Sequence, residues 1–191
     1  TLDDWDIVMN VHLNGTAYVT HAAWPIMVDQ NYGRIVLTSS VSGIYGNFGQ
    51  ANYGAAKMGM LGLMNVLEKE GAPKNVRVNV LAPAAETRLI GTIPGVKVDP
   101  DNPDPMRHPK IVTPAVIPMC SEDAPTGKVI HAGNGRFSCS AIFTNDDIEF
   151  DADVTYEDLL EKKDQLLDMS HAKEGALRMR RRAGSGAAPK S

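Results

Sequence analysis

Apolar and polar residues are spaced so as to predict strands that alternate with helices along most of the chain. Three short apolar runs rich in β-branched residues, at 34–39, 76–82 and 128–133, are typical of buried strands. Longer segments with apolar residues at helical spacing lie between them. This alternation favours an α/β fold with a parallel sheet.

The first predicted helix begins after an N-cap at Thr1, with two acids in its first turn. Its apolar face continues past Gly15 to about Asp29. We expect Pro25 to bend this helix or to divide it into two pieces.

A loop punctuated by glycines separates the first predicted strand from the longest predicted helix. The strand ends in Ser39 and Ser40, and the helix runs from about Asn52 to Gly71. The glycine spacing differs from that of a dinucleotide-binding turn, and the helix begins too late for a pyrophosphate to rest on its first turn. We therefore expect this loop to shape a substrate pocket; its glycines are Gly43, Gly46 and Gly49.

A hydroxyl, a phenol and an ammonium in this region are candidate catalytic groups. Tyr53 and Lys57 are four residues apart, which places both on one face of the helix. The ammonium stabilises the phenolate form of Tyr53, so that the phenol can exchange a proton near neutral pH. The Ser40 hydroxyl can hold a substrate oxygen on which charge develops.

These residues lie in motifs that resemble those of the short-chain dehydrogenase/reductases. The family's active-site signature is a serine 13 residues (53 minus 40) before the tyrosine of YxxxK, as here. Within the family, the match is to the (3R)-hydroxyacyl-CoA dehydrogenase unit of peroxisomal multifunctional enzymes. The segments that carry it are VHLNGTAYVTHAAWP, YGRIVLTSSVSGIYGNFGQANYGAAK and NVLAPAAETRL.

The resemblance implies that the α/β fold is the C-terminal half of a Rossmann-type doubly wound parallel sheet. The implied reaction is the oxidation of a (3R)-hydroxyacyl-CoA to a 3-ketoacyl-CoA in fatty-acid β-oxidation, with hydride transfer to NAD. Tyr53 would remove the hydroxyl proton, Lys57 would support it and hold the nicotinamide ribose, and Ser40 would bind the reacting oxygen. Tyr53 and Lys57 would thus also contact the cofactor.

Three more site residues follow from the resemblance. Pro83 and Thr87 follow the second strand where the family contacts the nicotinamide, although an ordinary exit from a strand is the alternative; Ala84 replaces the family's glycine between them. His12 stands in VHL where the broader family carries an asparagine. It either packs in the core or orients a water chain that serves Lys57.

A strand followed by a glycine-rich turn and by an acid about 20 residues later is not found in the sequence. We therefore expect the dinucleotide fingerprint in a longer polypeptide or in a complementing N-terminal segment or chain. NADP is accordingly not excluded. Alternatives to the dehydrogenase are a non-catalytic subunit, and a 3-oxoacyl carrier-protein reductase or steroid dehydrogenase of the same family.

Composition and charge narrow the choice of partners. The net charge of −4 argues against nucleic acid, and no apolar run approaches the ~20 residues of a membrane span. Cys120 and Cys139 form no CxxC pair and indicate neither a disulfide framework nor a metal site. The resemblance implies an acyl-CoA substrate, a homodimer formed through helices 16–29 and 53–71, and a peroxisomal location, or otherwise a cytoplasmic one.

The domain organisation follows from the resemblance over residues 1–138 and from the change in composition after them. Residues 1–138 are expected to form the dehydrogenase part, 139–180 a helical extension, and 181–191 a linker or tail. Residues 91–109 predict a loop, which in the family is a flap over the substrate. Two further helices are predicted, one at 111–123 that Pro118 interrupts and an amphipathic one at 156–171 after an N-cap at Thr155.

Overall fold

A computed structural model describes residues 1–87, 99 and 104–175 of the chain. The chain divides into two compact units, Thr1–Ser140 and Ala141–Ser191. The predicted tail at 181–191 lies outside the described residues, as do residues 91–98 and 100–103 of the predicted flap.

A sheet in the order β1-β2-β3-β4 organises the first unit. The first three strands are parallel, as the α/β prediction required, and β4 is antiparallel to β3. Asn134 and Gly135, at φ +51° and +67°, form the tight turn that precedes β4. The strands are β1 Gly33–Thr38, β2 Val76–Ala84, β3 Val129–Gly133 and β4 Arg136–Ser140.

Pro83 lies inside β2, whereas the sequence placed it just past the end of that strand. Leu81 faces β1, since its carbonyl accepts the Ser39 N–H at 2.7 Å. Pro83 is two residues further along, so its backbone nitrogen also points toward the β1 side. However, β1 already ends at Thr38, opposite Leu81. The missing N–H of the proline therefore costs no sheet hydrogen bond, and the strand continues to Ala84.

Helices cover both faces of this sheet. The predicted central helix is confirmed as α4, whereas the predicted glycine loop is partly helical, because Gly43 lies within α3. The predicted interruption at Pro118 is wrong, since α5 continues through it. The helices are α1 Leu2–Met9, α2 Gly15–Asp29, α3 Val41–Tyr45, α4 Ala51–Gly71 and α5 Thr113–Cys120.

The long N-terminal helix is interrupted at Asn10–Asn14, which form a π-helical turn, and not at Pro25. Side chains stabilise this wide turn at both ends. The Asn14 amide donates to the Asn10 side-chain oxygen at 2.7 Å, and the Thr16 hydroxyl donates to the His12 carbonyl at 2.8 Å. The first bond joins two side chains four residues apart, and the second gives the His12 carbonyl a side-chain donor.

Two apolar clusters form the core, one on each face of the sheet. On the first face, Met60 and Met64 of α4 pack against Leu37 of β1 and alternate valines of β2, which are Val76, Val78 and Val80. On the second face, Met119 of α5 packs against Leu81 and Ala132. The alternation of strand side chains thus divides the core between the two helices.

The elements of the second unit are short in its described part, residues 141–175. β5 Phe143–Thr144 pairs with β6 Lys173–Glu174. The predicted N-cap at Thr155 is confirmed, but the single predicted helix is two, α6 Tyr156–Glu161 and α7 Lys163–Leu167, which divide at Lys162. Across the described parts of the chain, none of the helices is long and apolar enough to cross a membrane.

Truncation of Met60 tests this core. Met60 is fully buried between α4 and the sheet, so Met60→Ala should lower the free energy of unfolding by about 2–5 kcal/mol. Met106→Ala removes the same side chain from a site that is 50% exposed and should cost less than about 1 kcal/mol. Urea denaturation of both variants measures the difference, and equal losses would contradict the packing described here.

Candidate active site

The candidate groups lie where β1 and β2 end. Ser39 and Ser40 directly follow β1, and Pro83 and Thr87 lie at or after the end of β2. Because the two strands are parallel, their carboxyl ends meet at one edge of the sheet. In open α/β sheets this edge is where ligands bind.

Lys57 is the buried charge of this region. Its side chain is 8% exposed, and its ammonium donates to the Thr38 carbonyl at 2.9 Å. Burial lowers the pKa of Lys57 because the charged form loses hydration. The bond ties the second turn of α4 to the last residue of β1.

Tyr53 contacts both predicted partners in its neighbourhood. The Lys57 nitrogen lies 5.8 Å from the centre of the Tyr53 ring, as expected for residues one helical turn apart. The His12 ring meets the Tyr53 ring edge to face, with centroids 5.2 Å apart and planes at 87°. The structure therefore brings together three of the predicted catalytic residues.

His12 belongs to the π-helical turn between α1 and α2 and is half-buried. Its pKa is lowered, first by burial and second by the charge of Lys57. A neutral imidazole against the tyrosine ring is thus favoured. The sequence offered core packing or a water chain as the role of His12, and neither alternative included this ring contact. A π-helical turn has no local sequence signal comparable to helical periodicity.

Ser40 caps the helix that follows β1. Its backbone is extended, and its hydroxyl oxygen accepts the Ser42 N–H at 3.2 Å, as an N-cap residue does. Within the described residues, no hydrogen bond joins Ser40 to Tyr53. Nor does any described hydrogen bond or ring contact join Pro83 or Thr87 to Lys57, and Thr87 is exposed.

Two residues that the sequence did not single out hold Lys57 in place. The hydroxyl of Ser39 donates to the Lys57 carbonyl at 2.7 Å. A Cβ atom added at Gly43 would lie 2.8 Å from the Lys57 Cβ, so only glycine lets α3 approach α4 this closely. Residues that act through the backbone of a neighbour carry no chemical motif, which is why sequence reasoning missed them.

The described residues contain no group of three or more His, Cys, Asp or Glu side chains that could hold a metal ion. Cys120 and Cys139 are both free and exposed.

Comparison with known proteins places this geometry in a family. Residues 1–90 match the family model described as short chain dehydrogenase. A protein of Mycobacterium tuberculosis named as a short-chain type dehydrogenase/reductase is 40% identical over 174 residues, which is 91% of this chain and 59% of that protein. The chain belongs to the short-chain dehydrogenase/reductase family.

Other members of the short-chain dehydrogenase/reductase family are also similar. Peroxisomal multifunctional enzyme type 2 of Mus musculus is 48% identical over 134 residues, 70% of this chain and 18% of that enzyme. Acetoacetyl-CoA reductase of Shinella zoogloeoides is 37% identical over 145 residues, 72% of this chain and 60% of that enzyme. The chain thus spans 59–60% of the length of the two bacterial relatives.

A solved structure shares the fold. The full-length peroxisomal multifunctional enzyme type 2 from Drosophila melanogaster matches with a TM-score of 0.78 and 37% identity, over 93% of this chain and 32% of that one. The resemblance that the sequence motifs indicated, to the short-chain dehydrogenase/reductases and to this enzyme within them, is confirmed, as is the Rossmann-type α/β fold.

His12 allows a test of the buried site by pH. Because burial and Lys57 hold its pKa below 6.5 in the folded chain, the unfolded chain takes up the proton first as the pH falls. His12 should therefore lower stability progressively as the pH falls through 6.5 toward the lower folded value. In urea denaturation, the free energy of unfolding lost between pH 7.5 and pH 5.5 should be smaller in His12→Asn than in the wild type. His21→Asn, an exposed change on α2, should keep the full loss; a full loss in His12→Asn as well would contradict the assignment.

Proposed function

We propose that this chain carries the proton-transfer part of a nicotinamide-dependent dehydrogenase site, with Tyr53 as acid and base. The observation that carries the proposal is the buried Lys57 ammonium beside the Tyr53 ring, at the carboxyl ends of parallel strands. Membership of the short-chain dehydrogenase/reductase family supports it.

The reaction proposed is the oxidation of a secondary alcohol to a ketone. Tyr53, as the phenolate, takes the proton of the substrate hydroxyl. The hydrogen on the carbon that bears this hydroxyl leaves as a hydride, with its electron pair. Lys57 supports the phenolate by its positive charge, and Ser40 donates a hydrogen bond to the reacting oxygen. For that role the Ser40 hydroxyl keeps its proton free, since in the N-cap bond it acts only as acceptor.

The hydride acceptor is NAD or NADP, and the donor set at the strand ends fits the nicotinamide end of such a cofactor. The Lys57 ammonium uses one of its three N–H donors on Thr38, which leaves two for ribose hydroxyls. Pro83 and the exposed hydroxyl of Thr87 lie at the same edge of the sheet and are proposed to face the nicotinamide. When bound, the nicotinamide accepts the hydride and leaves the proton to the protein.

The substrate proposed is a (3R)-hydroxyacyl-CoA, oxidised to the 3-ketoacyl-CoA of fatty-acid β-oxidation in the peroxisome, with NAD. Similarity to two enzymes named as peroxisomal multifunctional enzyme type 2 supports this choice. The similar acetoacetyl-CoA reductase favours a second candidate, which is reduction of a 3-oxoacyl thioester. The two candidates share the site chemistry and differ in direction and cofactor.

We also propose that the chain pairs with a second copy through α2 and α4. Both helices present large apolar side chains to the surface of this chain. Val19 and Ile26 on α2 are 72% and 64% exposed, and Met58 and Val66 lie eight residues apart on α4, 42% and 53% exposed. Gly62, between them, has nothing within 4 Å of an added Cβ, so this stripe of α4 is open for a partner helix.

Tyr53→Phe tests the chemical role. It keeps the ring that His12 contacts but removes the hydroxyl, so oxidation of a 3-hydroxyacyl-CoA with NAD should fall about 100- to 10,000-fold, with little change in stability. Tyr32→Phe, at the opposite end of β1, should leave the rate unchanged.

Calorimetry with NAD and NADP on the same chain identifies the cofactor. Unchanged turnover in Tyr53→Phe would overturn the assignment, and a wild-type chain that binds neither cofactor would favour a complementing subunit.

Val66→Glu tests the pairing. A carboxylate in the middle of a helix–helix contact would have to be desolvated, so the variant should sediment as a monomer where the wild type sediments as a dimer. Val154→Glu in the second unit, at 49% exposure, should leave the dimer intact. A wild-type chain that is monomeric in analytical ultracentrifugation at micromolar concentration would contradict the proposal.

A further inference from the structure

Lys57 has a flexible four-carbon stem, and the proposed chemistry needs its ammonium at one place. A lysine side chain gives up about 2 kcal/mol of rotamer entropy when it is fixed, so something must restrict it. Lys57 is 8% exposed, and its ammonium reaches the Thr38 carbonyl at 2.9 Å. That bond restrains the tip of the side chain but not the backbone from which it extends.

The adjacent residue restrains the backbone. Ser39 is 2% exposed, its hydroxyl donates to the Lys57 carbonyl at 2.7 Å, and its own N–H donates to the Leu81 carbonyl at 2.7 Å. The two residues at the end of β1 therefore hold Lys57 at two points. Thr38 binds the ammonium and Ser39 binds the carbonyl.

Neighbouring packing leaves Lys57 little freedom to shift. Gly43 of α3 lies so close that a Cβ atom there would be 2.9 Å from the Lys57 carbonyl carbon. A hydroxyl at a fully buried strand end is costly unless it is bonded, and alanine would fill the position without that cost. The bond from Ser39 is thus the specific feature of this position, because packing alone does not require it.

We infer that Ser39 is a positioning residue that sets the place of the Lys57 ammonium relative to Tyr53, an inference that rests on the proposed function for its catalytic consequence. The described hydrogen bonds of Ser39 go to the carbonyls of Lys57 and Leu81 and not to Tyr53. Ser39 acts through the backbone of Lys57, and its effect should be visible on Lys57 itself, whether or not the chain turns over a substrate.

The first measurement is the reactivity of Lys57 toward reductive methylation, followed residue by residue by mass spectrometry of the 191-residue chain. In the wild type, burial and the Thr38 bond should make Lys57 slow relative to the exposed Lys69. In Ser39→Ala the turn loosens and the ammonium leaves its carbonyl more often, so the rate at Lys57 should rise about 10-fold, with Lys69 unchanged.

Ser121→Ala is the matched control. The Ser121 hydroxyl also donates to a helix carbonyl, that of Pro118 at 3.0 Å, but it does so on α5 and at the opposite face of the sheet. Its loss should leave the Lys57 rate unchanged. Ser39→Thr keeps the donor and should restore a slow Lys57, whereas Ser39→Cys offers only a weak donor and should give an intermediate rate.

The second measurement is the pH dependence of turnover of a 3-hydroxyacyl-CoA. Displacement of the ammonium weakens its support of the phenolate, so Ser39→Ala should lower kcat/KM about 10- to 100-fold and move the rising limb of the rate profile to higher pH. A general loss of folded protein would reduce the rate without moving the rising limb of the pH profile.

The outcomes separate the two proposals. Equal Lys57 methylation in Ser39→Ala and the wild type overturns the positioning role, whatever the rate of turnover. If Ser39→Ala does not fold, equal methylation rates at Lys57 in Ser39→Cys and the wild type overturn it, and a faster rate in Ser39→Cys supports it. A wild type that binds NAD or NADP but lacks turnover, and that shows the expected methylation series, leaves the positioning role standing and removes the proposed function alone.

Discussion

The hydrogen bond between the Lys57 ammonium and the Thr38 carbonyl is the interaction on which the site depends. Backbone groups of a strand alternate sides, and Ser39 donates its N–H to Leu81 of β2, so the Thr38 carbonyl faces away from β2. That carbonyl needs a donor and the buried ammonium needs an acceptor. Each group satisfies the other, and leaving either unpaired would cost about 1–3 kcal/mol.

Close backbone approach makes this bond possible. At Gly43 an added Cβ would lie 2.8 Å from the Lys57 Cβ, and at Gly59 it would lie 2.8 Å from a Leu13 methyl group in the π-helical turn. Because these two glycines have no side chain, α4 can pack against α3 on one side and against the turn that carries His12 on another. The position of α4 therefore depends on the lack of a side chain at Gly43 and Gly59, and the two contacts bring Ser40 and His12 close to this helix.

Sequence reasoning succeeded where local periodicity decides the structure. The three parallel strands, the extent of α4 and the shared face of Tyr53 and Lys57 follow from spacing alone. It failed where a tertiary contact decides. Pro83 belongs to β2 only because β1 ends first, and β4 forms by pairing with β3 although its side chains are mostly exposed. Ser39 was read as one of two hydroxyls, since its bond to a distant carbonyl has no local pattern.

Stability and chemistry make opposite demands on Lys57. Burial lowers its pKa, so the folded chain gives up this proton more readily than the unfolded chain, whose lysine keeps its ordinary value of 10.5. The cost of the buried charge is fully present below the folded pKa of Lys57, and it is relieved as the pH rises from that pKa toward 10.5. The same rise would remove the charge that is proposed to support Tyr53. The alkaline pH at which the buried charge costs least is therefore the pH at which the proposed proton transfer loses its support. The bond to Thr38 limits this conflict, because it favours the charged form of Lys57.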